Sequence, residues 1–371
     1  MKTAGVVGAG VIGACVAFCL AQRGVHVQCV DRGRPGELTT EVSFARLSAF
    51  QQPTCARFEL SHTGMLEHLR FARQFEEAPW WHPTGSLAWG EASESPSFAE
   101  VVHRLGVWGY RAIWCDAVQV NREWESGIAF PDPKTPVVLF PDEGWIDGPR
   151  LVSALLEAAQ KTGFLTLWRG AVEDIEVRAD RVVALRLDSG ARVEVDAVVN
   201  AAGPGAPAVA AMLGAPMLAG IATRSSLVLD LRTDGDPVEH VLRGAKAHVR
   251  SAGTGRVRVR SEQVDARLPA GSGFEPGDEI TKDLLERAYR TVPALESSTV
   301  ERSRLGTAVF PADGFPSVGA LPAVPGYFEA FANSGITLAP FIGRTLATQI
   351  VTGEVHPLWA RSSPDRLRAT S

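Results

Sequence analysis

The stretch VVGAGVIGACVAFCLAQRGVHVQCVDRG, residues 6–33, constrains this chain more than any other. Gly8, Gly10 and Gly13 form G-x-G-x-x-G between a short apolar run, Ala4 to Val7, and a helix-like run, Val11 to Gln22, that stops at Arg23-Gly24. An alternating stretch (Val25, Val27, Cys29, Val30) then ends at Asp31. The order is strand, turn, helix, strand, acid. A first glycine permits the tight turn, a second lets backbone approach a pyrophosphate, and a third lets the helix lie close on the strand. The helix N-terminus offers unpaired N–H groups to phosphates. Asp31 can accept hydrogen bonds from ribose hydroxyls, which disfavours a 2′-phosphate. The same apolar run after Lys2 has the outline of a secretion signal, but a signal predicts neither the second strand nor its terminal acid.

At 371 residues the chain exceeds the usual single core, so two domains are expected. A formal charge of −5 gives no bulk electrostatic reason to bind nucleic acid or an anionic membrane. No other apolar stretch is long enough to span a bilayer. Cys15, Cys19, Cys29, Cys55 and Cys115 are odd in number and contain no C-x-x-C. Three of them lie inside the nucleotide unit as small hydrophobes, which points to a reduced, cytoplasmic compartment. His62 and His68 lie at helical spacing without a third ligand, so no metal site is expected. The polar tail, residues 362–371, is expected to fray.

Beyond Asp31 the pattern is mixed. Helical spacing recurs at Phe58, Met65, Leu69, Ala72 and Phe75, and again in DEGWIDGPRLVSALLEAAQKTG, which ends at Gly163. Strand-like pieces follow at Val172 to Val177, Val182 to Leu187 and Val193 to Ala202. RSSLVLDL and GRVRVRSEQVDARL alternate with period two, as antiparallel strands do. Near the end, Thr337 could cap a helix with Pro340 in its first turn and Gly353 just past its end. The expected fold is α/β (α+β overall): a discontinuous Rossmann-type domain over 1–79, 143–222 and 303–371, with an inserted, mainly antiparallel β-sheet domain over 80–142 and 223–302.

Four segments in order, the opening unit with EVSFARLSAF, then DEGWIDGPRLVSALLEAA, VVNAAGPGA and DGFPSVG…GYFEAFANSGITLAP, resemble the FAD-dependent D-amino-acid oxidase superfamily over nearly the whole chain. That superfamily includes glycine oxidase, monomeric sarcosine oxidase and D-amino-acid dehydrogenases. The resemblance implies FAD with its pyrophosphate against Gly8, Gly10 and Gly13 and its ribose on Asp31, beside Arg32. It implies that Ser43, Ala45 and Arg46 run beside the flavin, that Val172 contacts adenine through its backbone, and that Ala201, Ala202 and Gly203 approach the cofactor. Gly335, Ile336, Thr337 and Leu338 would lie at the pyrimidine edge, where a helix dipole favours negative charge. The activity implied is hydride transfer from the carbon beside an amine to flavin N5, with oxygen or another acceptor reoxidising the flavin.

Departures bear on the substrate. Where glycine oxidase-like members carry a carboxylate-clamping arginine this chain has Ala308, and the polar group before the final helix is Asn333, preceded by Ala330-Phe331 where Gly-His is usual. No cysteine follows Cys115, so the FAD is expected to be non-covalent, unlike that of sarcosine oxidase-like members. Either another cation (Arg46, Arg224, Arg258, Arg260, Arg302 or Arg304) supplies the clamp, or the substrate is an amine without a carboxylate. Arg258 and Arg260 alternate with valines, which equally describes a solvated sheet face. Arg224 begins a strand that in the family borders the flavin. His82 in WWHPTG is a proton-handling candidate or a packed histidine, and the tryptophans 80, 81, 89, 108 and 114 are core or the wall of an apolar pocket. Substrate-contact candidates are therefore Arg46, Arg224, Arg260, His82 and Asn333. Two rivals stay open: an NAD-dependent Rossmann dehydrogenase, and a flavin-binding, non-catalytic subunit of a hetero-oligomer.

Overall fold

A computed structural model describes residues 2–50, 52–90, 97–214, 220–268 and 278–368. The apolar opening run forms strand Thr3–Val7, the centre of a six-stranded sheet. Leu165–Arg169, His26–Asp31, Thr3–Val7, Ala197–Asn200 and Tyr327–Phe331 lie side by side and parallel, and Ser317–Ala320 closes the edge antiparallel. Every residue of helix Val11–Ala21 is buried, because the helix is covered by the sheet and by helices Gly148–Lys161 and Gly335–Thr352. Cys15, Cys19 and Cys29 lie in this core, and burial pushes the thiols of Cys19 and Cys29 up to about 12, so they stay protonated. The run expected as one strand over Val193 to Ala202 is two: Arg192–Glu194 joins a small sheet with Val172–Arg178 and Arg181–Leu187, whereas Ala197–Asn200 joins the large one.

The second large sheet has eight strands in the order Thr299–Pro311, Ile221–Arg232, Arg256–Arg260, His248–Ser251, Val241–Arg243, Ser86–Ala88, Pro136–Phe140 and Ile113–Asp116. All neighbours are antiparallel except Val241–Arg243 against Ser86–Ala88. Boundaries expected after residues 222 and 302 therefore fall inside strands, since Ile221–Arg232 and Thr299–Pro311 pair along nearly their whole length. One face of this sheet packs Leu227, Leu229, Leu242, Val249, Val257 and Val259 together with Leu284 and Ala288 of helix Asp278–Thr291. The opposite face carries Arg243, His248, Arg250, Arg258 and Arg260, since directly paired residues share a face. That face is covered, not solvated: the Arg258 side chain is 12% exposed. The tryptophans do not form a single wall, because Trp80 is fully buried in the main core whereas Trp114 is about half exposed on an edge strand.

The last long helix runs Gly335–Thr352 and ends on left-handed Gly353, as expected, but it begins before Thr337. Thr337 is its third residue, and Pro340 sits inside it instead of in a terminal position. A proline there has no N–H for the carbonyl four residues back, which is that of Ile336. His68 fills the gap, its Nε2–H donating to Ile336 O at 2.7 Å from helix Cys55–Ala72. One turn earlier, Gly64 lets the helices touch: a Cβ there would lie 2.4 Å from Thr337 O. His68 is thus a structural donor.

Burial holds the His68 pKa down at about 4, against a smaller upward pull from the Ile336 bond. Its folded pKa lies below the ordinary 6.5, so its contribution to stability is complete above pH 6.5 and is lost as pH falls toward 4. A gap of this size corresponds to about 3 kcal/mol. Urea midpoints for the wild type should fall across this window, and a His68→Gln chain should lose less over the same range. Parallel curves for the two proteins would contradict this assignment.

The tail is docked as far as residue 368. Ser362, Pro364 and Leu367 are buried, and Arg368 pairs with Glu329, which is itself fully buried. The expected fraying is corrected for these residues, while 369–371 lie outside the described part.

Candidate active site

The glycine turn is built so that two positions exclude any side chain. Gly8 has φ +100°, and a Cβ on it would fall 2.6 Å from Ala201 O; one on Gly13 would fall 1.9 Å from Gly8 O. Gly10 is different, since its Cβ would meet only Thr40 Oγ1, at 3.4 Å. Asp31 closes the second strand and turns back on the loop, accepting from Ala9 N at 2.6 Å and Gly33 N at 2.8 Å. Gly170 N donates to Asp31 O at 2.9 Å, which brings the start of strand Val172–Arg178 beside the acid. Ala201 N donates to Val7 O, and Gly203, at φ +54°, opens the turn that follows. Gly8, Gly13, Asp31, Ala201 and Ala202 are therefore one constellation. Arg32 is exposed on its rim. A side-chain-free turn against a helix N-terminus with a carboxylate at the strand end is the donor set a dinucleotide needs.

A second group lies across the loop that follows. Thr40 Oγ1 accepts from Val11 N at 3.0 Å, which fastens the short helix Thr39–Val42 to the glycine turn. The chain then passes beneath the arginine-bearing sheet face. Arg258 donates to Glu41 O at 3.0 Å and Ser43 O at 2.8 Å, and Arg250 Nε donates to Phe44 O at 2.5 Å. Ala45 takes a left-handed φ of +55°, held by its N–H on Ser43 Oγ at 2.9 Å. Thr337 Oγ1 donates to Arg46 O at 3.4 Å, so the expected flavin loop and the expected flavin helix do meet.

Asp230 organises the arginines. It holds Arg258 at 2.6 and 3.0 Å and Arg304 at 2.7 Å, while Arg304 also reaches Glu41 at 2.8 Å. Burial alone would raise the Asp230 carboxyl, but the bond to Arg258 and the charges of Arg258 and Arg304 hold it below its usual range. Asp230, Arg250 and His248 were not singled out by sequence. The available signal was the period-two pattern, which groups residues by face but does not say what covers that face.

The five substrate-contact candidates fare differently. Arg260 is occupied, donating to Asp265 at 2.6 Å and Ser226 at 2.9 Å. Arg224 is exposed and lies over the Phe310 ring at 4.8 Å, directly across the strand pair from Ala308. His82 stacks on Trp145 at 3.7 Å, and Arg250 lies over the same indole at 4.2 Å. Asn333 lines a small cleft with Gln52, Arg57 and Gly314 just before the final helix. Arg46 pairs through its backbone with Trp145, and its Nη1 is buried without a hydrogen-bond partner among the described residues. These candidates do not converge as one cluster. Arg46 and His82 both pair with Trp145 in a small three-stranded sheet, while Arg224 stands on the eight-stranded one.

Glu143 anchors the loop from beneath. It is fully buried and accepts from Ser48 at 2.5 Å, Ser86 at 2.7 Å and Tyr110 at 2.7 Å, linking the loop to strand Ser86–Ala88 of the eight-stranded sheet. Burial, with Glu143 adding to it, pushes the Tyr110 hydroxyl well up, so it remains a donor. Among the described residues no group of acids, cysteines and histidines is placed to hold a metal, and no helix is long and apolar enough to cross a membrane.

Comparison with known proteins agrees with this geometry. Over 95% of both chains the protein is 23% identical to the uncharacterized oxidoreductase YurR of Bacillus subtilis. Over 30% of its length it is 34% identical to one of the subunits of opine oxidase from Rhizobium meliloti, covering 29% of that protein. Among solved structures it is similar in fold to glycine oxidase from Geobacillus kaustophilus, with TM-score 0.85, 21% identity and full coverage of both chains. L-proline dehydrogenase from P. horikoshii also has TM-score 0.85, with 17% identity over 98% of this chain and 97% of that one. The model of the FAD dependent oxidoreductase family, DAO, matches residues 4–349, and the chain belongs to that family of FAD-dependent enzymes.

Proposed function

We propose that this FAD-dependent oxidoreductase oxidises the C–N bond of a small amine or amino acid. The observation that carries the reading is the continuous path from the glycine turn through Thr40 to Arg46 and Thr337, roofed by the arginine face of the eight-stranded sheet. In this reading Gly8, Gly10, Gly13, Asp31, Val172, Ala201, Ala202 and Gly203 hold the nucleotide half of FAD. Ser43, Ala45, Arg46 and Gly335 to Leu338 border its ring, with no covalent bond because no cysteine follows Cys115. The six-stranded sheet serves the cofactor and the eight-stranded sheet the substrate. Glycine oxidase and L-proline dehydrogenase, by their names, act on amino acids, which supports the substrate class.

FAD supplies an acceptor for a hydride. The residues of this chain orient the amine and exclude water, as far as the buried loop 44–50 and the packed arginine face allow. The amine carbon gives up a hydride and the nitrogen a proton, leaving an imine that water hydrolyses or that persists if cyclic. No protein base is required when the amine arrives neutral. A second reading, a chain that turns over only with a partner, is favoured by the similarity to a protein whose name makes it one component of a multi-subunit oxidase.

Purified protein should be yellow, and under anaerobic conditions at least one member of a panel of D- and L-amino acids, N-methyl amino acids and cyclic amines should bleach it. Bleaching that requires a co-expressed partner would favour the second reading. A protein that stays colourless after FAD is supplied would overturn both.

A further inference from the structure

Carboxylates answer only some of the arginines on and beneath the eight-stranded sheet. Asp230 answers Arg258 and Arg304, and Asp265 answers Arg260. Arg250 is spent on the carbonyls of Phe44 and Ser251 and on the Trp145 ring. Arg46 has no carboxylate partner among the described residues, and its Nη1 is buried and unbonded. Next to it, His248 is 5% exposed, and its Nδ1 is likewise buried without a partner. Buried polar nitrogens are rarely left unpaired in a finished protein, so two that belong together point to an absent partner.

The two residues come from different elements that meet here. Arg46 lies on the loop strand paired with Trp145, and His248 lies on the sheet across from Arg243 and Arg260. Phe44 packs its ring edge-on to His248 at 5.9 Å, and Arg46, two residues along the same loop, is close enough for its charge to act on the histidine. Burial, then the charges of Arg243, Arg46 and Arg260, keep the His248 pKa well below its ordinary value. The histidine is therefore neutral and offers one N–H beside a permanent cation. A guanidinium fork and a neutral imidazole donor match a planar, two-oxygen anion. Phe44 and Trp145 supply apolar walls.

Resting on the amine-oxidation reading, we propose that Arg46 and His248 form the carboxylate-binding subsite of this enzyme, and that its substrates are amino acids or other carboxylate-bearing amines. In this chain the anion-holding cation comes from the flavin loop, because strand Thr299–Pro311 carries Ala308 where glycine oxidase-like members have arginine. The FAD phosphates are already provided for at the glycine turn, and the flavin edge at the helix that begins at Gly335.

Benzoate and benzamide, alike in shape and different in charge, test this on the FAD-loaded protein at constant ionic strength. Binding is followed by the shift in the flavin absorbance band and, independently, by thermal unfolding. Benzoate should bind at least about 10-fold tighter than benzamide, the scale of one charge-assisted contact. With both probes measured on protein saturated with FAD, Arg46→Ala should remove that preference by weakening benzoate and not benzamide, and Arg46→Lys should restore part of it. His248→Phe, which keeps an aromatic ring but no donor, should weaken benzoate several-fold and serves as the test if Arg46→Ala does not fold. Equal binding of the two probes by the wild type, or a preference that survives Arg46→Ala and His248→Phe, would overturn the subsite. So would loss of FAD from Arg46→Ala with the preference intact, which would place the cation on the flavin. Rapid bleaching by amines without a carboxylate would overturn it too, while leaving C–N oxidation standing.

Discussion

Gly13→Ala is expected to yield a colourless protein that unfolds at a lower temperature than the wild type, whereas Gly10→Ala should be colourless or nearly so at almost unchanged stability. The difference follows from what each new methyl group would meet. At position 13 it would fall 1.9 Å from the carbonyl oxygen of Gly8, so helix Val11–Ala21 must move off strand Thr3–Val7. That helix is buried along its whole length, with Gly343 of the final helix already pressed against Cys15, so displacement disturbs three layers. Overpacking of this kind costs about 1–3 kcal/mol. At position 10 the methyl meets only Thr40 Oγ1, at 3.4 Å, and leaves the fold intact while occupying the side from which the pyrophosphate comes. Thermal unfolding without FAD, paired with FAD titration by fluorescence quenching, separates the two effects. Equal loss of stability in both variants would contradict the division of labour between these glycines.

The glycine turn was legible because its whole logic is local: strand, turn, helix, strand and acid all fall within residues 4–31. The flavin-edge helix was legible only at its far end. Gly353 stops it as sequence suggests, but Pro340 gave a false start signal, because the donor that replaces its missing hydrogen bond is His68, 268 residues from Ile336. Arg258 and Arg260 failed for the same reason. Alternation with valine says which residues share a face, and only the tertiary path of residues 41–46 decides that this face is covered. His248 and Asp230 carry no local signature at all, and their importance comes from neighbours contributed by other strands.

Asp230→Asn should be among the most damaging single changes outside the glycine turn, lowering stability by about 3–5 kcal/mol, the usual cost of stripping a partner from a buried ion pair. The asparagine keeps the shape and removes the charge, leaving Arg258 and Arg304, 12% and 20% exposed, without the anion between them. Arg258 is also the donor to the carbonyls of Glu41 and Ser43, so the loop beside the flavin loses its orientation together with the sheet face. FAD should therefore dissociate faster from this variant, although Asp230 belongs to the sheet and not to the expected cofactor shell. The exposed pair Arg111–Asp142, 59% and 52% accessible, is the control, and Asp142→Asn should leave both stability and FAD retention within error. The acid limb gives a second check. Because the folded Asp230 pKa lies below the ordinary 3.8, its contribution is complete above that pH and is lost only below it, so the gap between wild type and Asp230→Asn should stay constant from neutrality down to about pH 4 and then close. A gap that shrank already near pH 6 would assign the effect to the buried histidines instead. An Asp230→Asn chain as stable as the wild type would mean that Glu41 and the backbone carbonyls suffice to hold the arginines, and that the loop is oriented from the Glu143 side alone.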